Sequence, residues 1–136
     1  MRKGRTVLQA KRYGTSQCSA RAALLVVARR MDEDDISTLV VVDERGYLVG
    51  IITRTDLLRA MVEREDWTTQ PVEAYMTRDV VTVTPNTLLM DVAKTLLSHH
   101  IHRVVVVDEE TGDRRPLAVI SAGDVVYHMV MDATGG

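Results

Sequence analysis

A seven-residue pattern occurs twice in this chain, with its two copies half a chain length apart. Residues 50–56 read GIITRTD and residues 118–124 read AVISAGD. Each copy places a small residue and two apolar residues before a hydroxyl residue, two variable positions and an aspartate. Because the 136-residue chain repeats itself in this way, the pattern favours a doubled small module over one continuous architecture.

Two β-branched segments precede the copies of the pattern. Residues 39–42 (LVVV) and 104–107 (VVVV) each run into an aspartate, then a polar turn, then a second apolar run at 47–52 or 116–120. Apolar runs bounded by charged and turn residues are typical of buried strands. The sequence therefore predicts two β-hairpins.

Apolar residues at helical spacing flank both hairpins. Positions 57, 58, 61 and 62 are apolar, as are 125, 126, 129 and 130, and equivalent stripes at 23–31 and 88–97 precede the hairpins. With short strands at 16–19 and 80–83, each half is predicted to have the order β-α-β-β-α. We therefore expect an α/β (α+β) fold, with two pseudo-two-fold-related repeats packed sheet to sheet.

The predicted organisation has five parts. Residues 1–14 form a basic arm or helix, 15–65 the first repeat, 66–75 a polar connector, 76–131 the second repeat and 132–136 a tail. Residues 1–31 carry eight Lys or Arg and no acid, although the net charge of the chain is −2. A solvated arm is the favoured interpretation and a nucleic-acid contact is the less favoured one.

The sequence indicates neither an intrachain disulfide nor a membrane-spanning segment. Cys18 is the single cysteine, so no disulfide forms within the chain. No apolar run approaches the roughly 20 residues that span a bilayer, and the basic N-terminus lacks the apolar core of a signal peptide. We expect a cytoplasmic protein that does not contact a membrane.

Thr53-x-x-Asp56 and Ser121-x-x-Asp124 both fit a helix capping box. This role needs no ligand. An aspartate in a first helical turn is also suited to hold ribose, because one carboxylate accepts hydrogen bonds from two adjacent hydroxyls, and nearby helix N–H groups favour an anion. The two roles are compatible, and both remain open from the sequence.

Three histidines lie close together at positions 99, 100 and 102. His99 and His100 are neighbours and point apart, and no cysteine or acid stands at ligand spacing, so we predict no metal and no cofactor. His102-Arg103 begins a strand, where arginine offers a planar fork for phosphate and histidine a switchable donor. The alternative is an exposed strand end. No catalytic set is evident, and we do not expect an enzyme.

These motifs resemble a tandem pair of CBS (cystathionine β-synthase) domains over about residues 15–131. The resemblance rests on both copies of the Gly/Ala-x-x-Thr/Ser-x-x-Asp pattern and on the order of elements. It implies two clefts that bind adenosine compounds such as AMP, ADP, ATP or S-adenosylmethionine as regulatory ligands. It also implies a homodimer formed through the apolar helix faces, and an effector protein that receives the signal.

Residues 80–86 and 101–108 are similar to segments of the γ subunit of AMP-activated protein kinase. In that protein, the aspartate of one repeat holds ribose, and a His-Arg pair from the partner repeat holds phosphate. The resemblance implies a first cleft in which valines flank adenine and His102-Arg103 meets phosphate. Its predicted residues are Ile51, Thr53, Thr55, Asp56, Val80, Val81, His102 and Arg103.

The second cleft departs from that pattern. It takes Val119, Ser121 and Asp124, but Ser37 and Thr38 stand where the His-Arg pair would be. We therefore expect weaker binding there, or a less charged adenosyl ligand. The favoured hypothesis is a stand-alone adenine-nucleotide-binding regulatory module. The alternatives are a structural or dimerisation module with empty clefts and, less favoured, a nucleic-acid-binding protein that uses its basic arm.

Overall fold

In the computed structural model, residues 5–10 and 14–135 are described, and they form two units. One, termed here the repeat-1 unit, comprises residues 15–80. The other, termed the repeat-2 unit, comprises residues 5–10 and 14 together with 81–135. The short helix α1 (Val7–Ala10) precedes the repeat-1 unit in sequence but belongs to the repeat-2 unit.

The repeat-1 unit is a three-stranded sheet with two principal helices. Along the chain these are β1 (Gln17–Ser19), α2 (Leu24–Glu33), β2 (Thr38–Val42), β3 (Leu48–Thr53) and α3 (Arg54–Glu63). The sheet order is β1-β2-β3, with β1 parallel and β3 antiparallel to β2. Aliphatic side chains from the sheet and from both helices fill its core. The buried members are Leu24, Val27, Met31, Leu39, Val41, Ile52, Ala60 and Val72.

The repeat-2 unit has the same order of elements. These are β4 (Thr82–Val83), α4 (Leu89–Ser98), β5 (Arg103–Asp108), β6 (Arg115–Ser121) and α5 (Ala122–Ala133). The sheet order is β4-β5-β6, again parallel and then antiparallel. Both units confirm the predicted β-α-β-β-α repeat and the mixed α/β class.

The residues predicted as a connector pack within the repeat-1 unit. Two 3₁₀ turns, Trp67–Thr69 and Val72–Ala74, cross the start of α2. The Val72 side chain is fully buried, and the Leu24 N–H donates to the Gln70 carbonyl at 2.9 Å. This segment therefore caps α2, whose first N–H groups have no partner inside the helix.

The described part of the predicted arm, residues 5–10, completes the core of the repeat-2 unit. Val7 is fully buried there, and the Leu89 N–H donates to the Arg5 carbonyl at 2.9 Å. The Arg5 guanidinium donates to Asp132 Oδ1 at 2.9 Å. The arm's Arg2, Lys3, Lys11 and Arg12 lie outside the described residues. Asp132 and Ala133, predicted to lie in a tail, are the last residues of α5.

Large apolar side chains remain exposed on the last helix of each unit. On α3, Leu58, Met61 and Val62 are at least half exposed, and Val126 and Val130 are similarly exposed on α5. The predicted apolar stripes are therefore only partly used by their own units: Val125 is buried in the repeat-2 core, and its neighbour Val126 is not. Within the described ranges, the helices are too short and too polar to cross a membrane.

Candidate functional site

Asp56 is a buried carboxylate locked into the N-terminal cap of α3. Its Oδ2 accepts hydrogen bonds from the Thr53 backbone N–H at 2.8 Å and from the Thr53 hydroxyl at 3.0 Å. The Asp56 N–H lies 3.3 Å from the Thr53 Oγ1, so both halves of the predicted capping box are present. The cap fixes the direction of a side chain that is only 7% exposed.

The other oxygen of this carboxylate meets an arginine one turn further along α3. The Arg59 guanidinium donates to Asp56 Oδ1 at 2.9 Å and to the Tyr75 carbonyl at 3.2 Å. This ion pair compensates the charge of a carboxylate that has been withdrawn from water. Arg59 was not among the predicted site residues, although its i, i+3 spacing from Asp56 places the two side chains on one helix face.

Asp124 repeats the cap at the start of α5. Its Oδ2 accepts from the Ser121 backbone N–H at 2.9 Å and from the Ser121 hydroxyl at 3.2 Å. The residue at the position of Arg59 is Tyr127, whose ring stands edge-on to that of His128, with centroids 5.1 Å apart. The two caps are thus alike, while the side chains one turn beyond them differ.

The residues that begin the central strand of each sheet lie beside the cap of their own unit. The Ala122 N–H donates to the His102 carbonyl at 2.8 Å, and the Arg54 N–H donates to the Ser37 carbonyl at 3.1 Å. In the sheets, Arg103 is the partner of Ser121, and Thr38 is the partner of Thr53. This antiparallel pairing follows from the hairpins and sets the strand starts next to the helix starts.

Each predicted cleft draws residues from both units. The repeat-1 unit brings Ser37, Thr38, Ile51, Thr53, Thr55, Asp56 and Val80 together, and the repeat-2 unit brings Val81, His102, Arg103, Val119, Ser121 and Asp124 together. The assignment of His102-Arg103 to Asp56, and of Ser37-Thr38 to Asp124, stays a prediction.

One buried hydroxyl in the repeat-1 unit has unused hydrogen-bonding capacity. Among the described residues, Thr38 Oγ1 has no hydrogen-bond partner although it is sheltered from solvent. An unsatisfied buried polar atom costs about 1–3 kcal/mol. Thr38 is one of the residues predicted for the second cleft.

The segment leading to Val80 is fastened to the free edge of β3. Ile51 and Thr77 exchange two backbone hydrogen bonds, of 3.0 Å and 2.8 Å. This close approach requires Gly50, because a Cβ there would lie 2.7 Å from the Thr77 carbonyl oxygen and 2.9 Å from the Met76 sulfur. Residues 76–80 are therefore held beside Ile51 by a contact that only glycine permits.

A pocket of about 460 Å³ lies between α4 and α5 in the repeat-2 unit. Its lining is mostly apolar, with two histidines at its border, and consists of Ala93, Leu96, Leu97, His100, Ile101, His102, Ala122, Val125 and Val126. Such walls suit a planar apolar group better than a phosphate.

Two of the three clustered histidines, His99 and His100, lie directly after the last residue of α4. His100 is the second residue after α4 and has a φ of +53°, and Asp35 is at the same position after α2, with a φ of +50°. The His99 Nδ1 lies 3.0 Å from the Thr95 carbonyl oxygen. In the part of the chain that the structure describes, no three His, Cys, Asp or Glu side chains are grouped to hold a metal ion.

Cys18 lies in β1 and is the single thiol of the chain. Burial raises the pKa of this thiol to about 11, although the positive charge of Arg30 acts in the opposite direction. The thiol therefore stays protonated at neutral pH, and a protonated thiol is a poor nucleophile.

Known proteins resemble this chain over most of its length. The family model described as CBS domain matches residues 18–63 and 72–130. A 17.7 kDa protein of Acidianus ambivalens, from the bps2 3′ region, is 35% identical over 80 residues, which are 59% of this chain and 48% of that protein. The chain thus matches about half or less of the length of such curated relatives.

Two solved structures show the same fold. The CBS domain pair of protein MJ0100, in complex with 5′-methylthioadenosine and S-adenosyl-L-methionine, superposes with a TM-score of 0.82 and 25% identity, covering 93% of this chain and 97% of that one. Protein MJ1225 of Methanocaldococcus jannaschii, described as a putative archaeal homologue of the AMP-activated kinase γ subunit, gives a TM-score of 0.82 and 26% identity. There, 93% of this chain and 48% of that one are covered.

Proposed function

Because the chain belongs to the CBS domain family, we propose that it is a regulatory module that binds adenosine-containing small molecules and carries out no chemistry of its own. Binding is proposed to order the residues around the two capped aspartates. The change in those residues is then relayed to an effector protein. AMP, ADP, ATP and S-adenosyl compounds are the proposed ligands.

The observation that carries this proposal is that an aspartate lies in a helix capping box in each of the two units. In each unit, one carboxylate oxygen is consumed by the cap, so the side chain is held in a single direction at the start of a helix. A fixed carboxylate is a good partner for ribose hydroxyls, because little side-chain entropy is lost when the ligand binds. Similarity to a CBS pair that holds two adenosine compounds supports the same class of ligand.

Phosphate recognition is proposed for His102 and Arg103. Arg103 begins β5 and His102 directly precedes it, and the His102 carbonyl accepts a hydrogen bond from the first turn of α5. A guanidinium binds phosphate through two parallel hydrogen bonds, and such charge-assisted contacts are stronger than neutral ones. Cleft 1, with Asp56, is proposed as the site for phosphorylated ligands, and cleft 2, with Asp124, as the weaker or less charge-selective site.

A homodimer is also proposed. Several large apolar side chains on α3 and α5 are half exposed or more, and covering apolar surface favours association. The helix faces that carry Leu58 and Val126 are the proposed interface.

Thermal melting with and without ligands tests the proposed function. A ligand at 100 times its Kd adds about 2.7 kcal/mol of stability, which raises the melting temperature of a chain of this size by about 10 °C. Adenosine, AMP, ATP and S-adenosylmethionine form the panel, with uridine and ribose 5-phosphate as controls. Melting that no adenine compound shifts at millimolar concentration contradicts the proposal and favours the structural module with empty clefts.

Arg103→Ala is expected to lower the affinity for AMP and ATP about tenfold or more, and to change the affinity for adenosine little. A hydrogen bond to a charged group contributes about 1.5–3 kcal/mol. Adenosine has no phosphate that Arg103 could contact, so its affinity does not depend on this bond. Calorimetric titration measures both affinities. Arg115→Ala is the matched control, because Arg115 is an exposed arginine at the opposite end of the same hairpin. Equal losses for AMP and adenosine exclude the phosphate role of Arg103.

A further inference from the structure

The Arg59–Asp56 contact bears directly on the proposed ribose-binding carboxylate, and the inference drawn from it rests on the proposed function. Arg59 contacts Asp56 Oδ1, the oxygen that the cap leaves over. The carboxylate is 7% exposed, whereas the arginine side chain is 48% exposed. The ion pair therefore has one fixed, buried member and one member with room to move.

Lone-pair counting shows why this contact matters for a ligand. A carboxylate has about four acceptor positions. The Thr53 N–H and hydroxyl use those of Oδ2, and Arg59 uses one of Oδ1. A single position remains, but a ribose diol donates two hydrogen bonds. Capture of both hydroxyls by Asp56 therefore requires the guanidinium to leave Oδ1.

We propose that Arg59 is a specificity-determining residue that covers Asp56 in the empty site and transfers to the phosphate of a bound nucleotide. In the empty site it supplies the hydrogen bond and the positive charge that a buried carboxylate needs. When ribose occupies Oδ1, the guanidinium is released beside the ligand. A phosphate then provides it with a new bidentate partner, which a nucleoside without phosphate does not.

The strength of the resting contacts fits such an exchange. The bond to Tyr75 is long, at 3.2 Å, and the guanidinium is half in solvent. When Arg59 leaves, the ribose hydroxyls replace its hydrogen bond to Oδ1, so the buried carboxylate keeps its donors and the cost of displacing the half-exposed guanidinium is small. The exchange therefore makes the binding free energy of every ribose ligand slightly less favourable. Only phosphorylated ligands regain binding free energy, through the new contact with Arg59.

Arg59 also changes the charge that a ligand meets. With Arg59 removed, the Asp56 carboxylate is left without its adjacent cation, and like charges repel in a site of low dielectric. This repulsion acts on AMP and ATP but not on adenosine. Loss of Arg59 is thus expected to separate the affinities of charged and uncharged ligands.

Calorimetric titration of Arg59→Met with adenosine and with ATP tests the proposal. We expect the affinity for ATP to fall about tenfold. The affinity for adenosine is expected to stay within about threefold of the wild-type value or to rise. The ratio of the two affinities therefore falls by about tenfold. Arg59→Lys, which keeps the charge, is expected to retain most of the preference for ATP and guards against a loss of folding in the methionine variant.

Arg54→Met is the matched control. Arg54 lies on the same helix in an exposed ion pair with Asp35 at 3.1 Å, and its loss should leave the ratio unchanged. The proposal is overturned if Arg59→Met loses affinity for adenosine and for ATP by the same factor, or if it loses affinity for neither ligand. If wild-type protein binds neither ligand, the proposed function itself fails, and the role of Arg59 fails with it. Binding by wild type with an unchanged ratio in the variant refutes only the role of Arg59.

Discussion

Gly50→Ala is expected to lower the free energy of unfolding of the repeat-1 unit by about 2 kcal/mol. The new methyl group would lie 2.7 Å from the Thr77 carbonyl oxygen and 2.9 Å from the Met76 sulfur. A thioether can rotate away, but the carbonyl is fixed by the two hydrogen bonds between Ile51 and Thr77. Overpacking of this kind typically costs 1–3 kcal/mol, and chemical denaturation measures it.

Gly123→Ala provides the comparison for this substitution. Gly123 is in the first turn of α5, and a methyl group there approaches nothing closer than the Ser121 hydroxyl at 3.5 Å. Alanine has a higher helix propensity than glycine, so this variant should be as stable as wild type or slightly more stable. If both variants have the stability of wild type, the contact between β3 and residue 77 does not require glycine.

The repeated pattern at 50–56 and 118–124 predicted much of the fold because it is local. Hydroxyl and aspartate at i and i+3 define a helix start wherever they occur before an apolar helical stripe, and both capping boxes were found as predicted. The β-branched runs likewise predicted the hairpins. Both features depend on neighbours within a few residues in sequence.

The features that the sequence did not predict depend on distant residues. Val7 is at the opposite end of the chain from α5, yet both belong to one core, and nothing in residues 5–10 identifies that partner. Arg59 has a recognisable spacing from Asp56, but its second partner, the Tyr75 carbonyl, belongs to a segment predicted to be a connector. A contact with a backbone carbonyl that is distant in sequence leaves no residue pattern, so it is found only in the folded chain.

The two units also show why a symmetric motif need not give two equivalent sites. Position i+3 from the capped aspartate is Arg59 in one unit and Tyr127 in the other, and the central strand begins with Ser37-Thr38 in one and His102-Arg103 in the other. The cap depends on two residue types and tolerates these changes. Ligand charge, in contrast, is read by the residues that differ.

Asp56→Ala is expected to lower the affinity of cleft 1 for every ribose-containing ligand by about a hundredfold or more. The variant loses two charge-assisted hydrogen bonds to the ribose hydroxyls, each of which contributes about 1.5–3 kcal/mol in favourable cases. It also loses the side-chain half of the α3 cap, which costs about 1 kcal/mol of stability. Calorimetry with adenosine and AMP measures the first effect, and thermal melting of the unliganded protein measures the second.

Asp56→Asn and Asp124→Ala separate the two roles of the carboxylate. Asparagine keeps an acceptor oxygen for the Thr53 N–H but removes the negative charge, so it should preserve most of the stability and still lose affinity. Asp124→Ala removes a cap of the same geometry, so it should match the stability loss of Asp56→Ala without the same loss of AMP binding. Full ligand affinity in Asp56→Ala, together with the expected drop in stability, would make Asp56 a capping residue alone. In that case, ribose recognition in cleft 1 would rest on residues other than Asp56.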